Sequence, residues 1–463
     1  MAFLRSMTKI PCHSFYYVPK PSSFSSSPPA LSGDALVSAA VSILKHHRSK
    51  SRWSNLRSLL TATKDKRLTA SQFSEIAVQL RNNAHLAMRF FHFTVDYSLS
   101  SHSLYSYATV IHILARSRLK LQAQNLIKSA MSRFPEAQQQ VTATPVAILE
   151  ALIITYRTCA SAPFVFDLLV RACLESKKID IAVEIYAILK SKNVYLRTRT
   201  CNFLIESVAK SRGCSAGYNL YREIFYLDVD DVVRNRSSAK GVCPTANTLN
   251  VVMIGFYREG LVDKVEEMWQ EFASVGCVPN IYSFNVLMAA YCDDGRMKDA
   301  MRVWEEMDNR GLNHDAVAYN TVIGGFCGIG EVGRAEEIYR EMVMKGVEST
   351  CITFEHLING YCKMGDFDSV TMLYKDMCRK NFCPGSSTVN VIIKSLCDKN
   401  KISAASEFYR IAVKKHDVVL EKENYENLMR GLCQEGKIEE ALKLQVEMVG
   451  KGFRPNLVEL EPN

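Results

Sequence analysis

The chain has 463 residues, 48% of them apolar and 23% charged, a balance that excludes a disordered or fibrous protein. It contains no apolar run of about 18 residues, so no membrane insertion is expected. Its formal charge of +9 is uneven: residues 1–70 hold 11 Lys/Arg against Asp34 and Asp65, residues 71–245 hold 21 basic and 13 acidic side chains, and residues 246–456 hold 25 basic and 31 acidic ones.

Residues 1–35 read as a transit peptide or disordered leader. Arg5, Lys9 and Lys20 stand there with no acidic residue before Asp34, and six of the eleven positions from Ser22 to Ser32 are Ser. An acid-free, Ser-rich leader without an apolar block points to an organelle, not to secretion. The mitochondrion is favoured, with the chloroplast as the alternative. Residues 36–162 predict degenerate helical repeats, with weaker units at about 68–102 and 104–138. In them Arg116, Arg118 and Lys120, with Lys128 nearby, form either a phosphate track or an exposed helix face. Two units follow in 163–245, the second carrying an inserted loop near 226–240. Five regular units fill 246–420, a final one spans 422–456, and 457–463 is a tail.

The regular units repeat every 35 residues. Leu249-Asn250, Phe284-Asn285, Tyr319-Asn320, Phe354-Glu355 and Val389-Asn390 occupy the fourth and fifth positions. Gly260, Gly295, Gly330 and Gly365 stand at position 15, where Asn400 later takes the glycine's place, and Cys292, Cys327, Cys362 and Cys397 stand at position 12. A fixed period of this size predicts one supersecondary unit copied in series and stacked as a solenoid. Each unit predicts two helices. Phe284, Leu287, Met288 and Tyr291 share one face of a first helix that Gly295 stops, and Met297, Ala300, Met301, Val303, Trp304 and Met307 mark a second. Cysteines on a strict period predict packing rather than disulfides or metal, and no metal site or cofactor is expected.

These units resemble the pentatricopeptide repeat family of plant organelles, in the P class built of repeats alone. The stretch Ala318-Tyr319-Asn320-Thr321-Val322-Ile323-Gly324-Gly325-Phe326-Cys327 resembles the family's first helix, and Arg334-Ala335 through Met342 resembles its second. Pro244-Thr245, Pro279-Asn280 and Pro384-Gly385 resemble the linkers between repeats. The resemblance implies an all-α, right-handed superhelical solenoid of stacked helix–turn–helix units. It implies a sequence-selective binder of single-stranded organellar RNA, reading about one base per repeat.

In the family, position 5 and the last position of a repeat contact the base edge, while position 2 packs on base faces. Carried over, the base-reading residues are Asn202, Asn250 with Asn280, Asn285 with Asp315, Asn320 with Thr350, and Asn390, whose partner by simple counting is Leu420. The base-packing residues are Tyr282, Val317 and Ile352, and phosphate contacts fall to Arg258 and Lys363. Glu355 departs from the family's pairings, and Asp167 with Arg197 and Glu426 with Asn456 are weaker pairs. Asn-Asp and Asn-Asn imply a pyrimidine-leaning target. Asn near a helix start also suits plain capping or bridging of units. No His-x-Glu with Cys-x-x-Cys, P-loop or nucleophile motif occurs, so no catalysis is expected. The alternative is a protein-interaction solenoid, for which the acidic array would suit a basic partner. Other RNA-processing proteins remain possible partners.

Overall fold

A computed structural model describes residues 33–46, 49–61, 67–134, 144–225, 243–416 and 419–454. Among them are 23 α-helices and, apart from an isolated parallel bridge between Leu68 and Ser100, no β-structure. The chain divides into two compact units, Met1–Val252 and Met253–Asn463.

The first unit opens with α1 (Gly33–His46), α2 (Ser49–Thr61), α3 (Ala70–Gln79) and α4 (Ala84–Asp96). It continues with α5 (Leu104–Arg116), α6 (Lys120–Arg133), α7 (Thr144–Thr155) and α8 (Val165–Glu175). Then come α9 (Ile179–Ser191), α10 (Thr198–Arg212) and α11 (Cys214–Phe225), and the division falls inside α12 (Ala246–Arg258). Helix α1 starts inside the expected leader, of which residues 1–32 lie outside the described residues, as do the expected insertion at 226–240 and the tail at 457–463. Helix α5 is the core strut, buried from Ser106 to Ala115 and packed on α3, α6 and α7. Aromatic rings cluster beside it: Phe73 stacks on Phe90 at 5.0 Å and Phe91 meets the Tyr107 edge at 4.9 Å.

The second unit holds α13 (Val262–Val275), α14 (Ile281–Asp293), α15 (Met297–Asn309), α16 (Ala316–Gly328) and α17 (Val332–Met344). After these come α18 (Cys351–Met364), α19 (Phe367–Arg379), α20 (Ser386–Asp398), α21 (Ile402–His416), α22 (Lys422–Gln434) and α23 (Ile438–Gly450). They pair as hairpins, α14 with α15, α16 with α17 and so on. The first helices α14, α16, α18, α20 and α22 also pack side by side in series. This is the expected all-α stack of helix–turn–helix units.

Two features of the repeat explain its register. The first helix ends in a left-handed residue, with φ of +74° at Gly295, +86° at Gly330, +82° at Gly365 and +56° at Asn400. There the next amide reaches back to a carbonyl five residues earlier, as in Arg296 N to Tyr291 O at 2.8 Å. Asn is the side chain that tolerates this conformation best after Gly, which accounts for Asn400. The second feature is close approach of consecutive first helices. A Cβ at Gly325 would lie 2.8 Å from Cys292 Sγ, and one at Gly360 would lie 2.8 Å from Cys327 Sγ. The periodic cysteines are therefore the knobs and the small residues the holes. Burial pushes the thiols of Cys292, Cys327 and Cys362 up to about 12, 11 and 12, so they pack as neutral groups. Met307, Met342, Met377 and Met448 are fully buried, each worth about 1.5–3 kcal/mol of transfer free energy.

Candidate nucleic-acid interface

In four of the units, the last residue (Asn280, Asp315, Thr350 and Gly385) is the N-cap of the next unit's first helix. Asn280 Oδ1 accepts the Ser283 amide at 3.0 Å and Asp315 Oδ1 accepts the Ala318 amide at 2.9 Å. The Thr350 amide donates to Thr353 Oγ1 at 2.9 Å. Asn, Asp and Thr are the residue types a helix start favours, because their oxygens satisfy amides that lack an intrahelical partner.

Position 5 meets that cap from the preceding unit. Asn285 Nδ2 donates to Asp315 Oδ1 at 3.1 Å, and Asn320 Nδ2 donates to Thr350 Oγ1 at 2.9 Å. Asn320 Oδ1 also accepts from Thr353 Oγ1 at 2.6 Å, whereas the buried Asn285 Oδ1 has no partner. The structure thus joins two of the expected pairs. Their amides lie between neighbouring first helices and are only 7% exposed, while Asp315 is exposed and Thr350 half-buried. Beside them Tyr282, Val317 and Ile352 stand 49%, 57% and 51% exposed, apolar side chains in solvent at one register.

In the first unit position 5 also meets the cap, but through the cap's backbone amide. Asp167, buried on α8, accepts the Arg197 amide at 2.9 Å. Burial raises its pKa, against the Thr200 and Arg197 hydrogen bonds and the charges of Arg197 and Arg171. Asn202 and Thr245 are not bonded to each other; Asn202 Oδ1 is buried without a partner and Thr245 caps α12 through Thr248. Asn250 is buried on α12, in the first unit, while Asn280 caps α14 in the second. Asn456 lies outside the described residues.

Asn390 behaves differently, and the pairing of Asn390 with Leu420 needs correcting. Leu420 is buried, and the N-cap of α22 is Glu421, one residue further on. Asn390 Oδ1 accepts the Glu421 amide at 2.8 Å and Asn424 Nδ2 at 2.8 Å, while its Nδ2 donates to Ser386 O at 2.8 Å and Val419 O at 3.4 Å. Both ends of the amide are consumed by the fold, because the extra residue carries backbone groups into its reach. Glu355, opposite the side-chain-free cap Gly385, accepts instead from Thr388 Oγ1 at 3.2 Å.

Sequence reasoning passed over position 3 of the following unit. Thr248, Ser283, Thr353, Thr388 and Asn424 are all buried there, and Thr353, Thr388 and Asn424 bond back to position 5. The signal was present as a polar residue recurring on an otherwise apolar face. Arg258 and Lys363 are exposed, and Lys363 Nζ reaches Gly328 O at 3.4 Å. Lys363 also lines a groove of about 740 Å³ across α16, α18 and α20, with His356, Asn359, Lys394 and Lys399. Burial lowers the His356 pKa. Asp398 also lines this groove, and Lys394 pairs with Glu423 at 3.5 Å, so part of its positive charge is offset.

The sequence matches the PPR repeat family over 314–355 and 350–398, and the PPR repeat over 275–308, 248–277 and 424–453. A pentatricopeptide repeat-containing protein of Arabidopsis thaliana is 48% identical over 255 residues, covering 54% of this chain and 50% of the relative. A second from the same plant, named as mitochondrial, is 25% identical over 203 residues, covering 43% of this chain and 34% of the relative. The matched stretch thus spans half or less of these relatives' length. The fold is also similar to that of the pentatricopeptide repeat protein PPR10 from maize in complex with an 18-nt psaJ RNA element, at a TM-score of 0.36 and 15% identity, covering 92% of this chain and 76% of that one. With the matching repeats, the cap-to-position-5 contacts and the stacked hairpins together, this chain belongs to the pentatricopeptide repeat family.

Proposed function

We propose that this chain is a P-class, sequence-selective binder of single-stranded RNA in an organelle, favouring the mitochondrion, and that it acts in transcript processing, stabilisation, splicing or translation by binding alone. The observation that carries the reading is the pair of bonded couples Asn285–Asp315 and Asn320–Thr350, flanked by exposed Tyr282, Val317 and Ile352. Asp315 Oδ1 is taken by Asn285 and the Ala318 amide. Its other oxygen remains as a pure acceptor. That oxygen suits the N3–H of uracil and is repelled by the N3 lone pair of cytosine. The neighbouring apolar side chains give base faces something to pack on, and the locked couples lower the ordering cost of binding. Lys363 and Arg258 supply phosphate contacts, while Asn202, Asn250 and Asn280 extend the reading register.

Binding of defined 12-nucleotide RNAs to the full chain, followed by fluorescence anisotropy, tests this. A purine at the base facing Asn285 and Asp315 is expected to cost about 1–3 kcal/mol. Equal affinity for purine and pyrimidine tracts overturns the reading, and RNA cleavage or editing by the purified chain overturns action by binding alone. Asn390 favours the second reading locally, since its amide is spent inside the fold. The units after 386 are proposed to serve as a scaffold, open to a protein partner.

A further inference from the structure

In the first unit a pocket of about 420 Å³ is walled by Arg116, Arg118, Lys120 and Arg197 around Phe164, with no carboxylate in its lining. Arg116 closes α5, Arg118 sits in the turn, Lys120 opens α6, and Phe164 and Arg197 are the N-caps of α8 and α10. Among the described residues none of the four cations forms an ion pair, whereas Arg296, Arg302, Arg310 and Arg340 each hold a carboxylate. Two of the cations are held on one ring: Lys120 Nζ lies 5.6 Å and the Arg197 guanidinium 5.0 Å from the Phe164 centroid. Arg116 Nη1 donates to Ala160 O at 3.4 Å. The buried Asp167 accepts the Arg197 amide and offsets part of one charge. Arg118, like Lys177, stands in the left-handed conformation, with φ of +59°. Gly or Asn fills the matching place in the regular units, so Arg there is held at a cost in backbone energy.

Like charges gathered without counter-charge raise the energy of the fold, and a bound anion removes that cost. The Phe164 ring carries the two cations, so the pocket favours a compact polyanion over a stacked base. The volume exceeds what one inorganic phosphate fills and falls in the range of small-ligand sites, about 300–1,000 Å³. We propose that this pocket is a phosphate-binding site, taking adjacent phosphate groups either of an RNA strand or of a free nucleoside polyphosphate. Only the RNA source rests on the function proposed above; the phosphate chemistry stands without it.

The test titrates the full chain with inorganic tripolyphosphate and, separately, with a 20-nucleotide 5′-hydroxyl pyrimidine RNA over a range of salt. The variant R118Q/R197Q is compared with R302Q/R379Q, which removes the same charge outside the pocket. Circular dichroism melts check folding, and R116Q/K120Q repeats the test through the other two cations. Tripolyphosphate affinity is expected to fall about tenfold or more in each pocket variant and to hold in the control. If the salt slope for RNA also drops by about 1.4, as expected for two lost single-strand phosphate contacts, RNA is the source. If tripolyphosphate binding falls and the RNA slope holds, the source is a free polyphosphate. Tripolyphosphate binding that is absent, or unchanged in both pocket variants, overturns the proposal. Wild-type failure to bind RNA beside intact tripolyphosphate binding sinks the RNA function alone.

Discussion

The units at 281–350 and the unit beginning at Ser386 carry the same residue, Asn, at the same register, and the structure wires it in two ways. Asn285 and Asn320 each give an amide hydrogen to the capping side chain of the next unit and keep part of their capacity unspent or shared. Asn390 makes four side-chain hydrogen bonds to backbone and Asn424, because Glu421 lengthens the spacing by one residue. A register position therefore marks where a side chain sits; its neighbours decide what the side chain is free to do.

The largest effect on stability is expected at Asn390→Ala. It strands the Glu421 amide and takes one partner from the Asn424 amide and from two carbonyls, and is expected to cost about 3 kcal/mol. Asn320→Ala removes two side-chain contacts and is expected to cost about 1–2 kcal/mol. Asn285→Ala discards an already unpartnered oxygen and is expected to stay within about 1 kcal/mol. Hydrogen exchange of the flanking helices reads these local losses, which suits a stack whose repeats need not unfold together. RNA affinity is expected to rank the other way, with Asn285→Ala and Asn320→Ala weakening binding and Asn390→Ala leaving it within about twofold where the fold holds. Equal stability losses at the three sites would erase the distinction.

Glu421→Pro sharpens the comparison by removing a single donor. The native φ of −69° suits proline, so the expected cost, about 1 kcal/mol, is that of the bond from the Glu421 amide to Asn390. A denaturant midpoint unchanged by this substitution would show that the wiring of Asn390 does not depend on the extra residue.

The smallest effect concerns Asp167, which makes the cap contact with a group that titrates. Burial holds its pKa above the ordinary carboxylate value, so the native state grips this proton more tightly than the unfolded chain. The stability that goes with protonation is full below the unfolded value and is lost as pH rises through the raised one. Asp167→Asn is expected to flatten that fall above the ordinary carboxylate value. An unchanged slope of denaturant midpoint against pH would show that Asp167 is not its source.

Much of this was legible in the order of residues. A period of 35 residues dictates stacked units, Gly at position 15 dictates a helix stop, and Cys292, Cys327 and Cys362 dictate a buried register, since each follows from local propensity and periodicity. The pairs Asn285–Asp315 and Asn320–Thr350 were implied by the resemblance to the family, and the regular stack brings both within hydrogen-bond reach. What only the tertiary structure decided depends on groups far apart in the chain coming within a few ångströms. The exchange of Leu420 for Glu421 as the partner of Asn390, the buried polar position 3, and the meeting of Arg197 with Arg116, Arg118 and Lys120 around Phe164 are of this kind. Hydrogen bonds and charge proximity act over distances that sequence separation does not encode.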